Sequence, residues 1–123
     1  PSDMPLARAI IKATGQGARI FDMTGRTSIG ELVETLRLCA VAISNDSGPM
    51  HVAAAIGTPL VALFGPTDPG LTGPHATGKA VIMRPDIDCI GCMKRYCQKG
   101  LCHLSVDPEN AAAAALDLLR WRN

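Results

Sequence analysis

The sequence predicts an α/β fold in which a Rossmann-like parallel sheet carries flanking helices. Short apolar runs alternate with segments of helical periodicity along the chain, the order that parallel strands joined by crossover helices require. The 123 residues and a hydrophobic content of 47% suffice for one sizeable core but not comfortably for two. We therefore expect one doubly wound domain with right-handed crossovers.

The sequence pattern in the first third of the chain predicts a helix, a strand and a second helix. Apolar residues at helical spacing place the first helix over residues 3–14, and the glycine that follows is a stop signal. The short run over residues 18–23 predicts a strand. Thr27-Ser28 followed by Glu31 is typical of a capped helix start, and the apolar face continues to about Cys39.

The rest of the chain continues the alternation and ends on a long helix. The predicted elements are strands over residues 40–44, 60–64 and 80–83, and helices over residues 50–56 and 107–121. The last helix begins with Asp-Pro-Glu, in which Asp caps, Pro suits the first helical position and Glu complements the helix dipole. Residues 85–106 contain four cysteines and little periodicity, so we expect an irregular, cysteine-rich insertion there.

Composition excludes several classes of function. The formal net charge is +1, neither sign forms a long run, and aromatic residues make up only 3%, so no nucleic-acid-binding surface is expected. No apolar stretch is long enough to span a membrane and no signal peptide begins the chain, which predicts a cytoplasmic protein. The chain opens at Pro1 and enters a helix directly, so we expect a fragment of a longer protein.

The turn over residues 44–51 has an arrangement that suits an anion. Gly48 lets the backbone come close, and the N–H groups of the first helical turn favour a phosphate. His51 lies within reach, and Asp46 can accept hydrogen bonds from hydroxyl groups, so the turn suits a diphosphate joined to a sugar. The simpler alternative is that Asp46 or Ser47 only caps the helix. Gly48 would then relieve a tight turn, and His51 would be a surface histidine.

A second loop, residues 64–75, is rich in glycine and proline and follows the next predicted strand. By itself, such a stretch is usually a structural turn. However, the carboxyl ends of parallel strands meet at one edge of a sheet, where ligands collect. We therefore expect the two loops to lie side by side.

Two joined motifs carry a resemblance to a known family. They are SNDSGPMHVAAA at residues 44–55 and GTPLVALFGPTDP at residues 57–69. In this combination they resemble the core of glycosyltransferase family 9, the ADP-heptose:lipopolysaccharide heptosyltransferases. The resemblance extends from about Thr27 to the final helix.

The resemblance implies a two-domain GT-B architecture in which residues 1–123 are the C-terminal half, which binds an ADP-sugar such as ADP-heptose. A missing N-terminal half would bind the acceptor, the lipopolysaccharide inner core, and would hold the general base. No catalytic residue is therefore expected in this chain. The implied reaction is an inverting transfer that requires no cofactor, in a cytoplasmic enzyme that associates peripherally with the inner face of the inner membrane.

The same resemblance implies roles for individual residues. Asp46 would contact the sugar hydroxyls, and the backbone amides of Ser47 and Gly48 would donate to the diphosphate. His51 would lie near the leaving phosphates. The backbone of Thr27 would contact adenine, and Asp3 would contact the ribose. Asp3 stands where the family usually has Glu. The basic residue that the family places on an earlier strand to hold a phosphate has no counterpart in this chain.

Four cysteines are the feature that sugar transfer does not explain. Cys89, Cys92, Cys97 and Cys102 follow the spacing C-x2-C-x4-C-x4-C. In a cytoplasmic protein this spacing favours a structural metal, either zinc or an iron-sulfur cluster, over disulfides, and free thiols are an equal alternative. Two other functions stay open: a nucleotide-binding module without transferase activity, and an interaction module that binds a metal through the four cysteines.

Overall fold

The computed structural model describes residues 3–15, 19–94, 96–104 and 106–121. The chain forms two compact units, Pro1–Leu32 and Val33–Asn123. In chain order the elements are α1 (Met4–Thr14), α2 (Ile29–Leu38), β1 (Ala42–Asn45), α3 (Gly48–Ala55), β2 (Leu60–Leu63), α4 (Pro69–Thr72), β3 (Ala80–Met83), α5 (Leu101–Leu104) and α6 (Pro108–Trp121). In the described part of the chain, no helix has both the length and the hydropathy to cross a bilayer.

The first unit contains α1 and a loop that was expected to be a strand. Helix α1 confirms the predicted helix and ends at Thr14, before Gly15, whose φ of 59° lies in the left-handed region. The strand prediction for residues 18–23 is wrong over residues 19–23, and Ala18 lies outside the described residues. A strand exists only where its backbone bonds to a neighbouring strand, and the described part of this unit offers none.

Helix α2 begins at the capping box that the sequence predicts. The Ser28 amide donates to the Glu31 carboxylate at 2.7 Å, and the Ser28 hydroxyl donates to the same oxygen at 2.8 Å. In return, the Ser28 hydroxyl oxygen accepts a hydrogen bond from the Glu31 amide at 3.3 Å. These reciprocal bonds satisfy amides at the helix start that have no partner within the helix.

The second unit is built on a parallel sheet with the strand order β1-β2-β3. Ala42 pairs with Leu60, and Leu60 pairs with Ala80, so the three strands begin level with one another. The strand predictions for this unit are confirmed: β3 has the predicted bounds, and β1 and β2 lie within two residues of theirs. All three carboxyl ends therefore reach the same edge of the sheet.

Helix α3 covers one face of the sheet. Its buried side includes Met50 and Ala54, which pack in one cluster with Phe64 and with the residues of β2 that face them. The hydroxyl of the buried Thr58 donates to the Leu36 carbonyl at 2.9 Å, which links the end of α2 to the start of β2. This cluster is the larger of the two cores.

Helix α6 covers the opposite face. Ala115 and Leu118 pack against Val61, which lies in the middle of β2. Because successive residues of a strand point to opposite faces, the apolar side chains of β2 pack alternately into the two cores on either side of the sheet. Helices on both faces confirm the predicted doubly wound α/β architecture.

Two short helices lie in segments that were expected to be irregular. Helix α5 lies inside residues 85–106, so the prediction of a wholly irregular insertion is wrong there. Helix α4 follows Asp68, whose carboxylate accepts a hydrogen bond from the Gly70 amide at 2.8 Å. Asp107 caps α6 in the same way, through the Glu109 amide at 3.0 Å. Both helices thus start on an Asp-Pro pair, which combines a cap with a preset backbone angle.

The two phenylalanines of the chain provide a matched test of the core. Phe64 is 1% exposed, whereas Phe21 is 88% exposed. We expect Phe64→Ala to lower the free energy of unfolding by about 3–5 kcal/mol, because it removes apolar contacts and leaves a cavity. Phe21→Ala should change it by less than about 0.5 kcal/mol. Urea unfolding followed by circular dichroism measures both, and equal losses would contradict the packing described above.

The capping box predicts a pH dependence of helix α2. Hydrogen bonds from the amide and the hydroxyl of Ser28 lower the pKa of the Glu31 carboxyl. A carboxyl with a lowered folded-state pKa stabilises the fold above its unfolded pKa, and this contribution is lost as the pH falls through the folded pKa. We expect an NMR titration to give a Glu31 pKa below the ordinary value of 4.5.

Ser28→Ala should raise the Glu31 pKa only part of the way toward its ordinary value of 4.5, because the amide of residue 28 still donates to the carboxylate. Ser28→Thr keeps the hydroxyl and is the control, so the pKa should stay low. An unshifted Glu31 pKa in the unaltered chain would mean that the box does not form in solution.

Candidate functional site

The polar turns after β1 and β2 meet at the carboxyl edge of the sheet. Asn45 pairs with Leu63 at the last position of both strands, and the Asp46 amide donates to the Leu63 carbonyl at 3.1 Å. The expectation that the two loops lie side by side is therefore confirmed. A cavity of about 540 Å³ opens at this edge, and its wall includes Asn45, Asp46 and residues 65–67. The first turns of α6 add an apolar side to it.

Asp46 is held between the two loops. Its side chain is 15% exposed, and its Oδ2 accepts a hydrogen bond from the Thr72 hydroxyl at 3.0 Å. Its Oδ1 lies 3.9 Å from Nε2 of His51, a distance at which a protonated imidazole pairs with a carboxylate. One carboxylate oxygen thus fixes the side chain, and the other keeps its capacity to accept a hydrogen bond from a hydroxyl group.

Ser47 stands at the N-cap position of α3 without capping the helix. Its backbone has the extended conformation of a cap, with φ −162° and ψ 168°, but its side chain makes no capping hydrogen bond. The hydroxyl donates instead to the Asn45 carbonyl at 3.0 Å. The Asp46 carboxylate is bonded to Thr72. The alternative in which Asp46 or Ser47 serves only as a cap is therefore wrong.

The start of α3 offers fewer amide donors than the sequence suggested. Pro49 has no N–H, and the amides of Met50 and His51 donate to the Ser47 carbonyl at 3.1 and 3.4 Å. Within the described residues, the amides of Ser47 and Gly48 have no acceptor. These two donors, at the positive end of the helix dipole, are the pair that the family resemblance implies for the diphosphate.

Gly48 is not required by the turn itself. A Cβ added at this position would meet no atom within 4 Å, and its φ lies outside the left-handed region that favours glycine. The alternative in which Gly48 relieves a tight turn is therefore wrong. The absence of a side chain at Gly48 leaves open space beside the helix start, through which an anion can approach the backbone.

The remaining site residues of the sequence analysis belong to the first unit. Thr27 lies in the loop immediately before the Ser28 capping box. Asp3 holds the N-cap position of α1, and its carbonyl accepts a hydrogen bond from the Ala7 amide at 3.0 Å. Their contacts to a nucleotide stay predictions.

Thr72 is the site residue that the sequence analysis missed. Its hydroxyl reaches Asp46 from a position 26 residues further along the chain. Sequence spacing gives no signal for a contact of this range. The available clue is Asp68-Pro69, which repeats the helix start of Asp107-Pro108 and places Thr72 at the end of one helical turn.

The clustered cysteines do not form a metal site in the part of the chain that the structure describes. Cys89, Cys92 and Cys97 are exposed, whereas Cys102 is buried and lines the cavity. No group of three or more His, Cys, Asp or Glu residues able to hold a metal occurs among the described residues. The predicted zinc or iron-sulfur site on these four thiols is therefore not supported, because they do not share one environment. No disulfide joins the four clustered cysteines, so free thiols are the alternative that agrees best with the structure.

Cys97 differs chemically from an ordinary exposed cysteine. Hydrogen bonds from the backbone amides of Gly100 and Lys99 lower the pKa of the Cys97 thiol. The positive charges of Lys94 and Lys99 lower it further. A larger fraction of this thiol is therefore ionised near neutral pH, and the thiolate is the reactive form.

Comparison with protein families gives a match over most of the chain. The family model described as glycosyltransferase family 9 (heptosyltransferase) matches residues 2–103. Lipooligosaccharide heptosyltransferase 2 of Haemophilus influenzae is 40% identical over 84 residues, which are 67% of this chain and 24% of the relative. The protein of the same name from Campylobacter jejuni is 32% identical over 107 residues, which are 85% of this chain and 34% of the relative.

Solved structures give the same result. The E. coli ADP-heptose LPS heptosyltransferase II superposes with a TM-score of 0.80 at 29% identity, over 98% of this chain and 34% of that protein. A family 9 glycosyl transferase from Veillonella parvula superposes with a TM-score of 0.73 at 27% identity, over 97% of this chain and 34% of that protein. Both confirm the predicted Rossmann-like fold of GT-B glycosyltransferases. The chain spans between about a quarter and a third of the length of these relatives.

The lowered pKa of Cys97 predicts its reactivity toward iodoacetamide. Peptide mass spectrometry over a pH series should show an alkylation midpoint for Cys97 below 9.0, the ordinary thiol value. Replacing both Lys94 and Lys99 by Gln should raise this midpoint only slightly, because the amide hydrogen bonds are the larger cause. The buried Cys102 is the internal control and should stay unmodified while the chain is folded. Resistance of Cys97 to the reagent would contradict its assignment as a free thiol.

Proposed function

Because the chain belongs to glycosyltransferase family 9, we propose that it is the donor-binding domain of a heptosyltransferase and that its ligand is an ADP-sugar, ADP-heptose in particular. The observation that carries this proposal is the pair of amides at Ser47 and Gly48, which stand beside the Asp46 carboxylate without an acceptor among the described residues. The name of the similar E. coli protein, which includes ADP-heptose, supports the choice of donor.

The diphosphate of the donor binds at the start of α3. The Ser47 and Gly48 amides donate to its oxygens, and the positive end of the helix dipole favours its charge. His51, whose side chain is 48% exposed, contacts the leaving phosphates from the same helix. As the sugar–phosphate bond breaks, charge develops on the departing oxygen, and each preorganised donor stabilises it by about 3 kcal/mol.

Asp46 binds the sugar. Its carboxylate accepts hydrogen bonds from the sugar hydroxyls, for which it is suited because Thr72 already fixes its orientation. For the first unit, the contacts that the family resemblance implies, from the Thr27 backbone to adenine and from Asp3 to the ribose, stay predictions.

The reaction is an inverting transfer to the lipopolysaccharide inner core. The acceptor hydroxyl attacks the anomeric carbon as the ADP oxygen leaves, and a general base outside residues 1–123 removes the proton. This chain is then the C-terminal half of a two-domain GT-B enzyme at the cytoplasmic face of the inner membrane. Because backbone amides and a histidine stabilise the departing diphosphate, the chemistry requires neither a divalent metal nor another cofactor.

Calorimetric titration with ADP tests the proposed site. We expect the unaltered chain to bind ADP and Gly48→Leu to weaken that binding at least about a hundredfold, because the new side chain fills the space beside the amides. Asp46→Ala should weaken the binding of ADP-heptose more than that of ADP, because the carboxylate contacts the sugar.

Ala113→Leu is the matched control for the glycine variant. It adds the same side chain to an exposed position of α6, on a different element from the Ser47 and Gly48 amides, so ADP should bind as it does to the unaltered chain. The proposal fails if the unaltered chain does not bind ADP, or if Gly48→Leu binds it equally well.

A further inference from the structure

Thr72 connects the second loop to the proposed sugar-binding carboxylate. Its Oγ1 donates to Asp46 Oδ2 at 3.0 Å, and the same hydroxyl lies 3.2 Å from the Asp68 carbonyl oxygen. A threonine hydroxyl has one proton to donate. The carboxylate is both the closer and the charged acceptor, so the proton is directed mainly to Asp46.

Helix α4 holds the Thr72 hydroxyl in place. The Asp68 carboxylate accepts a hydrogen bond from the Gly70 amide at 2.8 Å, and the Thr72 amide donates to the Asp68 carbonyl at 2.9 Å. The turn is closed by the Gly73 amide, which donates to the Pro69 carbonyl at 2.9 Å. A Cβ on Gly73 would fall on that same carbonyl group, so this tight closure requires glycine.

The bond leaves the two oxygens of Asp46 in different states. Oδ2 accepts the hydrogen bond from Thr72, whereas Oδ1 accepts none from the residues that the structure describes and lies 3.9 Å from Nε2 of His51. A carboxylate held through one oxygen presents the other in a preferred direction, so less of the side-chain ordering remains to be supplied when a ligand binds.

We infer that Thr72 is a positioning residue, which orients Asp46 so that Oδ1 accepts hydrogen bonds from the sugar of the donor. The inference rests on the proposed function and extends the site to the second loop. Because Thr72 acts through Asp46, it affects the recognition of the sugar, while the amides of α3 bind the diphosphate independently of it. Loss of the hydroxyl should therefore separate the affinity for the nucleotide-sugar from the affinity for the nucleotide.

Calorimetry with ADP and with ADP-heptose on the unaltered chain, Thr72→Val and Thr72→Ser tests this role. Valine keeps the branched shape and removes the hydroxyl, so we expect the Kd for ADP-heptose to rise about tenfold. The Kd for ADP should stay within about twofold. Serine keeps the hydroxyl and should restore most of the affinity for ADP-heptose. Thermal unfolding of each variant checks that the fold is retained, and Thr72→Ala repeats the test should the valine variant not fold.

The outcomes separate this inference from the function on which it rests. If the unaltered chain binds neither ligand, the proposed function fails and the role of Thr72 fails with it. If the unaltered chain binds ADP-heptose and removal of the hydroxyl leaves the affinity unchanged, the positioning role alone is overturned. Equal losses for ADP and ADP-heptose, or no recovery with serine, would likewise overturn it, because they indicate a general structural effect.

Discussion

The parallel pairing of β1 with β2 is the constraint on which the candidate site depends. The two strands end level with each other, and the bond from the Asp46 amide to the Leu63 carbonyl extends their ladder by one residue. That bond fixes the backbone from which the Asp46 carboxylate and the first turn of α3 both depart. Beneath the edge, Phe64 and Met50 are buried, and close-packed side chains of this kind resist displacement. The positions of the polar groups are thus set mainly by apolar packing and backbone pairing.

The parts of the fold that follow from local sequence could be predicted, and the parts that depend on distant partners could not. The capping box at Ser28 and the strands of the second unit follow from residue type and short periodicities. Residues 19–23 have a strand-like composition, but a strand needs a partner, which no local pattern supplies. Helices α4 and α5 have four residues each, too few for a period of 3.6 to appear in the sequence.

The same distinction explains the site. Asp46, Ser47, Gly48 and His51 lie within one short segment, so one motif was enough to predict them as a group. Thr72 lies beside Asp46 only because two loops meet at a sheet edge. The cysteines are the opposite case, since they are close along the chain but do not form a metal site among the described residues. Their spacing is that of a metal motif, but the fold buries Cys102 beside the cavity and leaves Cys97 exposed. Spacing measures proximity along the chain, whereas coordination requires side chains that converge in space.

The side chain of Ser47 departs from the role that its position at the start of α3 favours. A serine at this position usually caps the helix and contributes about 1 kcal/mol, and the extended backbone of Ser47 suits that role. Its hydroxyl donates to the Asn45 carbonyl instead, so the preference of serine for capping is not realised at this position. Departures of this kind concentrate at functional sites. A capping oxygen accepts from the amide two or three residues further on, and Pro49 has no N–H, so a cap by Ser47 could engage only the Met50 amide, which donates to the Ser47 carbonyl instead. The amides of Ser47 and Gly48 lie outside the reach of such a cap, so they are without an acceptor among the described residues whether or not the Ser47 hydroxyl caps the helix.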